Sequence, residues 1–247
     1  MKTAILTDLH ANREAVEAVL DHARGQGAER RAFLGDLVGY GADPRWMVDL
    51  MRAERASGSV VLLGNHDAAA VHGAPPTMRA DAARAAEWTR RTLDAERRRF
   101  LAELPLQQER GEVLYVHANA WSPPDWEYIQ TRSDAARSLH ATRCRITFCG
   151  HMHEPRLYHL SHLGKAGEFT PTPGVPVPLL AHRRWLAIPG AVGQPRDGDP
   201  AACYALHDED AGSVTWFRVP YDQEAAAAKM RAAGLPQRLW ERLVDGR

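Results

Sequence analysis

Short apolar runs recur along this chain, and five of them end on polar residues able to offer nitrogen or oxygen to a cation. Thr3–Thr7 leads into Asp8-Leu9-His10, Ala32–Leu34 into Gly35-Asp36, and Val60–Leu63 into Gly64-Asn65-His66-Asp67. Val113–Val116 is followed by His117, and Ile146–Cys149 by Gly150-His151-Met152-His153. Runs this short, with β-branched residues and glycine or turn residues at their ends, predict buried strands. Sites in α/β proteins gather outside the carboxyl ends of such strands. Five polar exits therefore point to a single crevice.

Helical periods fill the spaces between the runs. Asn12 is placed to cap a helix reaching about Ala23, with Ala15, Val16, Val19 and Leu20 as its apolar stripe. Asp43-Pro44 predicts the cap and first turn of a second helix carrying Trp46, Met47, Leu50 and Met51. Beyond the Gly73–Thr77 turn, one long charged helix is expected from near Arg79 to Leu104, stopped by Pro105. Leu106–Val116 reads as a hairpin turning at Arg110-Gly111, and Ser133–His140 as a short helix. Gly164–Leu180 mixes proline and glycine without a period, so a loop insertion is expected over about 164–182. Trp185–Ile188, Ala202–His207 and Val214–Val219 read as strands, and a helical tail covers about 222–247 with a break at Gly234-Leu235-Pro236. Strands early and late with helices between predict two packed sheets covered by helices. Because the polar exits extend from Asp8 to His153, residues 1–247 are read as one domain.

Composition adds mainly exclusions. The chain is 45% hydrophobic and 25% charged, with 31 Lys+Arg balanced by 31 Asp+Glu. No global field draws it to nucleic acid or to an anionic membrane, so neither is expected as a partner. An anionic substrate would have to be attracted locally, and bound cations would do that. Cys144, Cys149 and Cys203 form no C-x-x-C pair and are odd in number, which argues against a disulfide framework and suits a cytoplasmic setting. The apolar run before Asp8 is too short for a signal-peptide core, and no run has the length of a membrane helix.

Each polar exit alone has a plain explanation: Asn65 as a left-handed turn residue, His117 as a hydrogen-bonded core histidine, Gly35-Asp36 as a strand-exit turn. Together they offer seven mixed oxygen and nitrogen ligands. A mononuclear zinc site needs three or four. Seven are enough for two ions sharing a carboxylate.

The ordered set Asp8-Leu9-His10, Gly35-Asp36, Gly64-Asn65-His66-Asp67, His117, Gly150-His151-Met152-His153 resembles the calcineurin-like metallophosphoesterase superfamily. That pattern is D-x-H, G-D, G-N-H-D/E, H and G-H-x-H. The resemblance covers most of the chain, and Ile188–Asp197 is similar to the family's late glycine-rich loop. It implies an α/β fold, a four-layer α/β/β/α sandwich of two mixed sheets flanked by helices. It implies one divalent ion held by Asp8, His10, Asp36 and His153, and a second by Asp36, Asn65, His117 and His151, with Asp36 bridging. Manganese is the first expectation, with iron, zinc or nickel as alternatives. The implied reaction is hydrolysis of a phosphomonoester or phosphodiester by in-line attack of a metal-bridging hydroxide. His66 would protonate or stabilise the leaving oxygen, and Asp67 would orient His66 through its other ring nitrogen.

Departures from the pattern bear on substrate. Protein Ser/Thr phosphatases and symmetrical dinucleoside tetraphosphatases of the superfamily carry an Arg-Gly pair soon after G-D; here Gly39-Tyr40-Gly41 stands in that region. With Asp67 where those enzymes have Glu, the chain is more similar to the small bacterial phosphoesterase/phosphodiesterase branch. Arg196 is the candidate to supply the missing cation to substrate. Ala118-Asn119-Ala120 and Ala191 also depart from the usual residues without touching an expected ligand. Trp121, Trp126 and Tyr128 follow His117 on a Pro123-Pro124 loop. Such aromatics more often pin a loop to a core than stack on a nucleobase or aryl group. The expected partner is a small phosphorylated substrate, nucleotides among the candidates; a homo-oligomer is left open. The alternatives are a non-catalytic metal-binding scaffold for protein partners and a nuclease of the same superfamily.

Overall fold

The alternating runs resolve into two stacked mixed sheets in the computed structural model, which describes residues 1–247. In the first sheet β1 (Lys2–Leu6), β2 (Arg30–Phe33) and β3 (Val60–Val61) run parallel. On the other side of β1 lie β11 (Ala202–Asp208), β12 (Ser213–Val219) and β9 (Val177–Pro178), each antiparallel to its neighbour. The second sheet is ordered β4 (Gln107–Arg110), β5 (Val113–Val116), β6 (Ile146–Phe148), β10 (Arg183–Ile188), β7 (Arg156–Ser161), β8 (Ala166–Phe169). There β5, β6 and β10 are parallel, and the outer pairs antiparallel.

Side chains alternate between two apolar layers, which is why the strands read as unbroken hydrophobic runs. Ile5, Tyr115, Trp185, Ala205 and Trp216 point into the layer between the sheets. Ala4, Leu6, Tyr204 and Leu206 point outward to the helices on the first sheet. These helices include α1 (Arg13–Gly25) and α2 (Pro44–Ala56), joined in that layer by Leu101 of α5 (Ala95–Ala102). On the second sheet, Leu114, Val116 and Leu186 face Ala135 and Leu139 of α6 (Arg132–His140). The expected order of helix, sheet, sheet, helix is therefore present. A satellite cluster ties Tyr40 to α4 (Ala80–Thr92), α7 (Gln223–Ala232) and α8 (Gln237–Asp245). The short α3 (Asn65–His72) follows β3 directly.

Caps account for several boundaries. The Asn12 side chain accepts a hydrogen bond from Ala15 N at 3.2 Å, starting α1 as expected. Asp43 precedes α2 but makes no capping bond; its carboxylate instead accepts from Lys229 Nζ at 2.8 Å, tying α2 to α7.

Two expectations need correction. The single helix over 79–104 is two helices, α4 and α5, because Leu93 is extended and buried and Asp94 caps a new start by accepting from Arg97 N at 2.8 Å. The loop insertion over 164–182 contains β8 and β9, which extend one edge of each sheet. Their pairing is backbone to backbone and leaves no apolar period in the side chains.

Candidate metal centre

All the polar exits converge at one end of the two sheets. Asp8 leaves β1, Asp36 follows β2, Asn65 and His66 open α3, His117 follows β5, and His151 and His153 follow β6. Backbone hydrogen bonds stitch the exits together: Asp8 N to Gly35 O (3.1 Å), His10 N to Asp36 O (2.9 Å), Gly150 N to His117 O (2.7 Å). Of the eight non-glycine residues with positive φ, five are Asp8, His10, Asp36, His151 and His153. Left-handed backbone in such residues costs roughly 1–2 kcal/mol each and gathers at functional sites. Gly64 and Gly150 lie so close to Asp36 and to Thr7 and Asp8, respectively, that a methyl group at either would collide with them.

The side chains form two buried groups that could each hold a metal ion: Asp8, His10, Asp36 and His153, and then Asp36, His117 and His151. Asn65 Oδ1 joins the second group, 3.1 Å from His117 Nε2. Asp36 belongs to both. Its Oδ1 accepts from His66 N at 2.8 Å, while its buried Oδ2 has no hydrogen-bond partner. His117 Nε2 and His10 Nε2 lie 3.5 and 3.8 Å from that oxygen. Three imidazoles are oriented from behind: the Nδ1 atoms of His10, His117 and His153 lie 3.3, 2.8 and 2.7 Å from the carbonyls of Val38, Leu34 and Gln194. A ring that donates through Nδ1 presents a lone pair at Nε2. His10 Nε2 and His153 Nε2 are 3.3 Å apart. Two lone pairs at that separation, beside a buried orphan carboxylate oxygen, suit a cation between them. The donor set fits divalent metal.

Charge and burial oppose one another throughout the site. Burial alone would raise the Asp36 and Asp8 carboxyls, but the neighbouring imidazoles, His117 and His153 foremost, hold both well below the usual range. Burial works against protonated His117 too, yet the Asp36 carboxylate carries it up to about 9. Burial takes His66 down to about 4 and His151 down to about 3.

His66 is buried beside the ligand groups, its ring centroid 4.3 Å from Tyr40 and 5.0 Å from His10. Asp67 does not orient it. The Asp67 carboxylate turns back to accept from Val38 N (2.9 Å), Leu37 N (3.2 Å) and Gly64 N (2.9 Å), and His66 Nδ1 is left unpartnered. Three amides at the start of α3 and in the loop after Asp36 compete for that carboxylate and win it. Asp67 thus braces the backbone that positions Asp36, with burial raising its carboxyl to about 7.

Arg196 lines the crevice over the ligand groups. It is half-buried, its Nη2 donates to Tyr40 Oη at 3.3 Å, and its buried Nε has no partner. Tyr40 is a site residue that sequence reasoning missed; its only local signal was the glycine on either side. The aromatic loop divides in two. Trp121 does pin the loop, lying under the Arg137 guanidinium at 4.4 Å. Trp126 and Tyr128 instead pack on the expected ligands, Tyr128 stacking on His151 at 4.0 Å and Trp126 set edgewise to His117 at 5.7 Å. Asn119 supports this loop by donating to Glu127 O at 3.0 Å and accepting from Ser122 N at 2.9 Å. A crevice of about 740 Å³ opens over the centre, walled by His66, Tyr40, Trp126, Tyr128 and Arg196.

The model of the calcineurin-like phosphoesterase superfamily domain matches residues 1–212. The chain belongs to this superfamily. It is 33% identical to an uncharacterized protein of Methanocaldococcus jannaschii, across 99% of this chain and 98% of that one. A metallophosphoesterase from Sphaerobacter thermophilus has the same fold at 37% identity and a TM-score of 0.87, over 100% of this chain and 99% of that one. A hypothetical protein from Pyrococcus horikoshii shares the fold at 20% identity and a TM-score of 0.78, over 100% and 98% of the two chains. The superfamily and the Asp/His groups agree on a hydrolase that binds divalent metal. No helix is long and apolar enough to cross a membrane.

Proposed function

We propose that this calcineurin-like phosphoesterase carries two divalent ions and hydrolyses a phosphomonoester or phosphodiester. The observation that carries the reading is Asp36, shared by both ligand groups and keeping one buried oxygen without a partner. Asp8, His10, Asp36 and His153 would hold one ion, and Asp36, Asn65, His117 and His151 the other. When bound, such ions polarise phosphate oxygens and activate a water for in-line attack.

The chain's own residues do the rest. The carbonyls behind His10, His117 and His153 keep Nε2 free for the ions. His66 offers its ring to the leaving oxygen, donating a hydrogen bond or a proton. Arg196, anchored on Tyr40, holds a phosphate oxygen on the crevice side. The mixed oxygen and nitrogen ligands suit manganese first, then iron, zinc or nickel. The three buried, unpaired thiols accord with a cytoplasmic enzyme.

Metal analysis of protein purified with excess manganese should find two ions per chain, with hydrolysis of p-nitrophenyl phosphate or bis-p-nitrophenyl phosphate. One ion per chain would refute the shared carboxylate. Two ions without turnover of either ester would favour a binding scaffold.

A further inference from the structure

Four arginines meet beside the crevice without an acid among their partners. Arg79 precedes α4, Arg196 lies in the loop after β10, and Arg238 and Arg242 lie one turn apart on α8. Arg79 and Arg242 line the crevice and also an adjoining cavity of about 240 Å³, where Arg238 joins them. Tyr40 is the shared wall. One side of its ring meets His10 at 4.4 Å and His66 at 4.3 Å, and Arg196 lies over it at 5.8 Å. The arginines therefore begin one tyrosine ring away from the candidate metal centre.

Elsewhere on this electroneutral chain several arginines pair with acids, as in Arg13–Glu17, Arg52–Glu96 and Arg97–Asp49, and others, such as Arg45, Arg110 and Arg184, bond backbone carbonyls. What sets these four apart is that they line adjoining cavities. Of the acids that line the cavities, Asp81 is engaged by Arg84 at 2.6 Å and Glu154 by Arg156 at 3.2 Å, while Asp125 accepts from Ser122 Oγ at 2.6 Å. Like charges at i and i+4 on a helix repel. Burial, with Arg196, Arg238 and Arg79 close by, also pushes the Arg242 guanidinium below its ordinary range. A clustered set of unpaired guanidinium forks, lining a cavity, is suited to a multiply charged phosphate.

Resting on the phosphoesterase reading, we propose that Arg79, Arg238 and Arg242 form a cradle for a second phosphate group. The substrates of this enzyme are then phosphoesters carrying at least one phosphate beyond the one cleaved. Arg196 stands between the two positions, and Trp126 and Tyr128 leave an aromatic wall for the organic part. Balanced net charge and the size of the cavity favour a small oligophosphate over a long nucleic-acid strand.

The first test uses metal-free protein, so that chelation by the probe plays no part. Calorimetric titration should show inorganic tripolyphosphate binding at least tenfold more tightly than orthophosphate, and R238A/R242A should lose that preference. R79A, just ahead of a different helix, should weaken tripolyphosphate in the same direction, while R238K/R242K should keep more affinity than the alanine pair. In manganese-loaded enzyme, the ratio of kcat/KM for a nucleoside triphosphate over p-nitrophenyl phosphate should fall at least tenfold in R238A/R242A, through KM. Unchanged tripolyphosphate binding in both alanine variants, an unchanged ratio, or tighter binding of a single-stranded oligonucleotide than of tripolyphosphate would overturn the cradle. Arginine-dependent tripolyphosphate binding in a wild type inert toward every ester would uphold the anion site and sink the phosphoesterase reading instead.

Discussion

The layer between the sheets and the crevice at their ends are built from the same strands and obey opposite rules. On β1, Ile5 enters the inter-sheet layer in regular extended backbone, while Asp8 just beyond it is equally buried but charged and left-handed. The layer holds Trp185 and Trp216 among aliphatic neighbours, and Trp216 Nε1 donates to Ile188 O at 3.0 Å. The crevice packs histidine against histidine and leaves Asp36 Oδ2 and His66 Nδ1 without partners. The first region lowers the free energy of the fold, through burial of roughly 25 cal/mol per Å² of apolar surface. The second raises it and holds its strained, unsatisfied groups in place only because the first is rigid. A ligand that satisfies those groups should therefore stabilise the protein as well as serve its chemistry.

Substitution at Asp36 tests this contrast most severely. Asp36→Ala removes the one carboxylate common to both groups, so metal analysis should find neither ion retained. Ester hydrolysis should drop by about 10³-fold or more, because all activation of phosphate and water depends on the ions. Retention of a full pair of ions would mean that the two groups do not share Asp36. His66→Ala sharpens the same point, since His66 is buried in the crevice without belonging to either ligand group. Both ions should remain, with kcat lower by about 10²–10⁴-fold. A near-normal kcat would remove His66 from the reaction.

The opposite region should answer in the opposite currency. Trp216→Ala opens a cavity between the sheets and should cost about 3–5 kcal/mol in urea unfolding. Its folded fraction should still bind two ions per chain. Loss of metal at the same rate as loss of stability would show the two regions to be less separable than their packing suggests.

The legible part of the site was the part written locally. Each expected ligand lies within a few residues of a strand end, so apolar runs and their polar exits were enough to gather Asp8, His10, Asp36, Asn65, His117, His151 and His153. Asn12, a capping residue with a free amide to accept from, was legible for the same reason. What escaped depends on direction or on distant chain. Adjacency of Asp67 to His66 does not say where a carboxylate at the third position of a helix turns, and backbone amides took it. The break at Leu93 sits inside a charged helical period that continues on both sides. Tyr40, Arg79, Arg238 and Arg242 converge only because α4 and α8 pack on the loop after β2, and no spacing records that packing.

A last and smaller effect separates the two regions by pH. His207, on β11, is 3% exposed, packs on Phe148 at 5.4 Å, and keeps its Nδ1 without a partner. Burial, reinforced by Arg145, takes it from an ordinary value of 6.5 down to about 4. The folded state thus refuses a proton that the unfolded state accepts. Its contribution is complete above about pH 6.5 and is lost as the pH falls from there toward 4, where the folded protein also protonates. A shift of that size corresponds to about 3 kcal/mol across the window. His207→Leu removes the titration while leaving every crevice histidine in place. In metal-free protein, urea unfolding between pH 7 and pH 4.5 should therefore show about 2 kcal/mol less acid destabilisation in the variant than in wild type. Parallel pH curves for the two proteins would place the acid sensitivity in the crevice alone, and the inter-sheet layer would then be indifferent to its one buried imidazole.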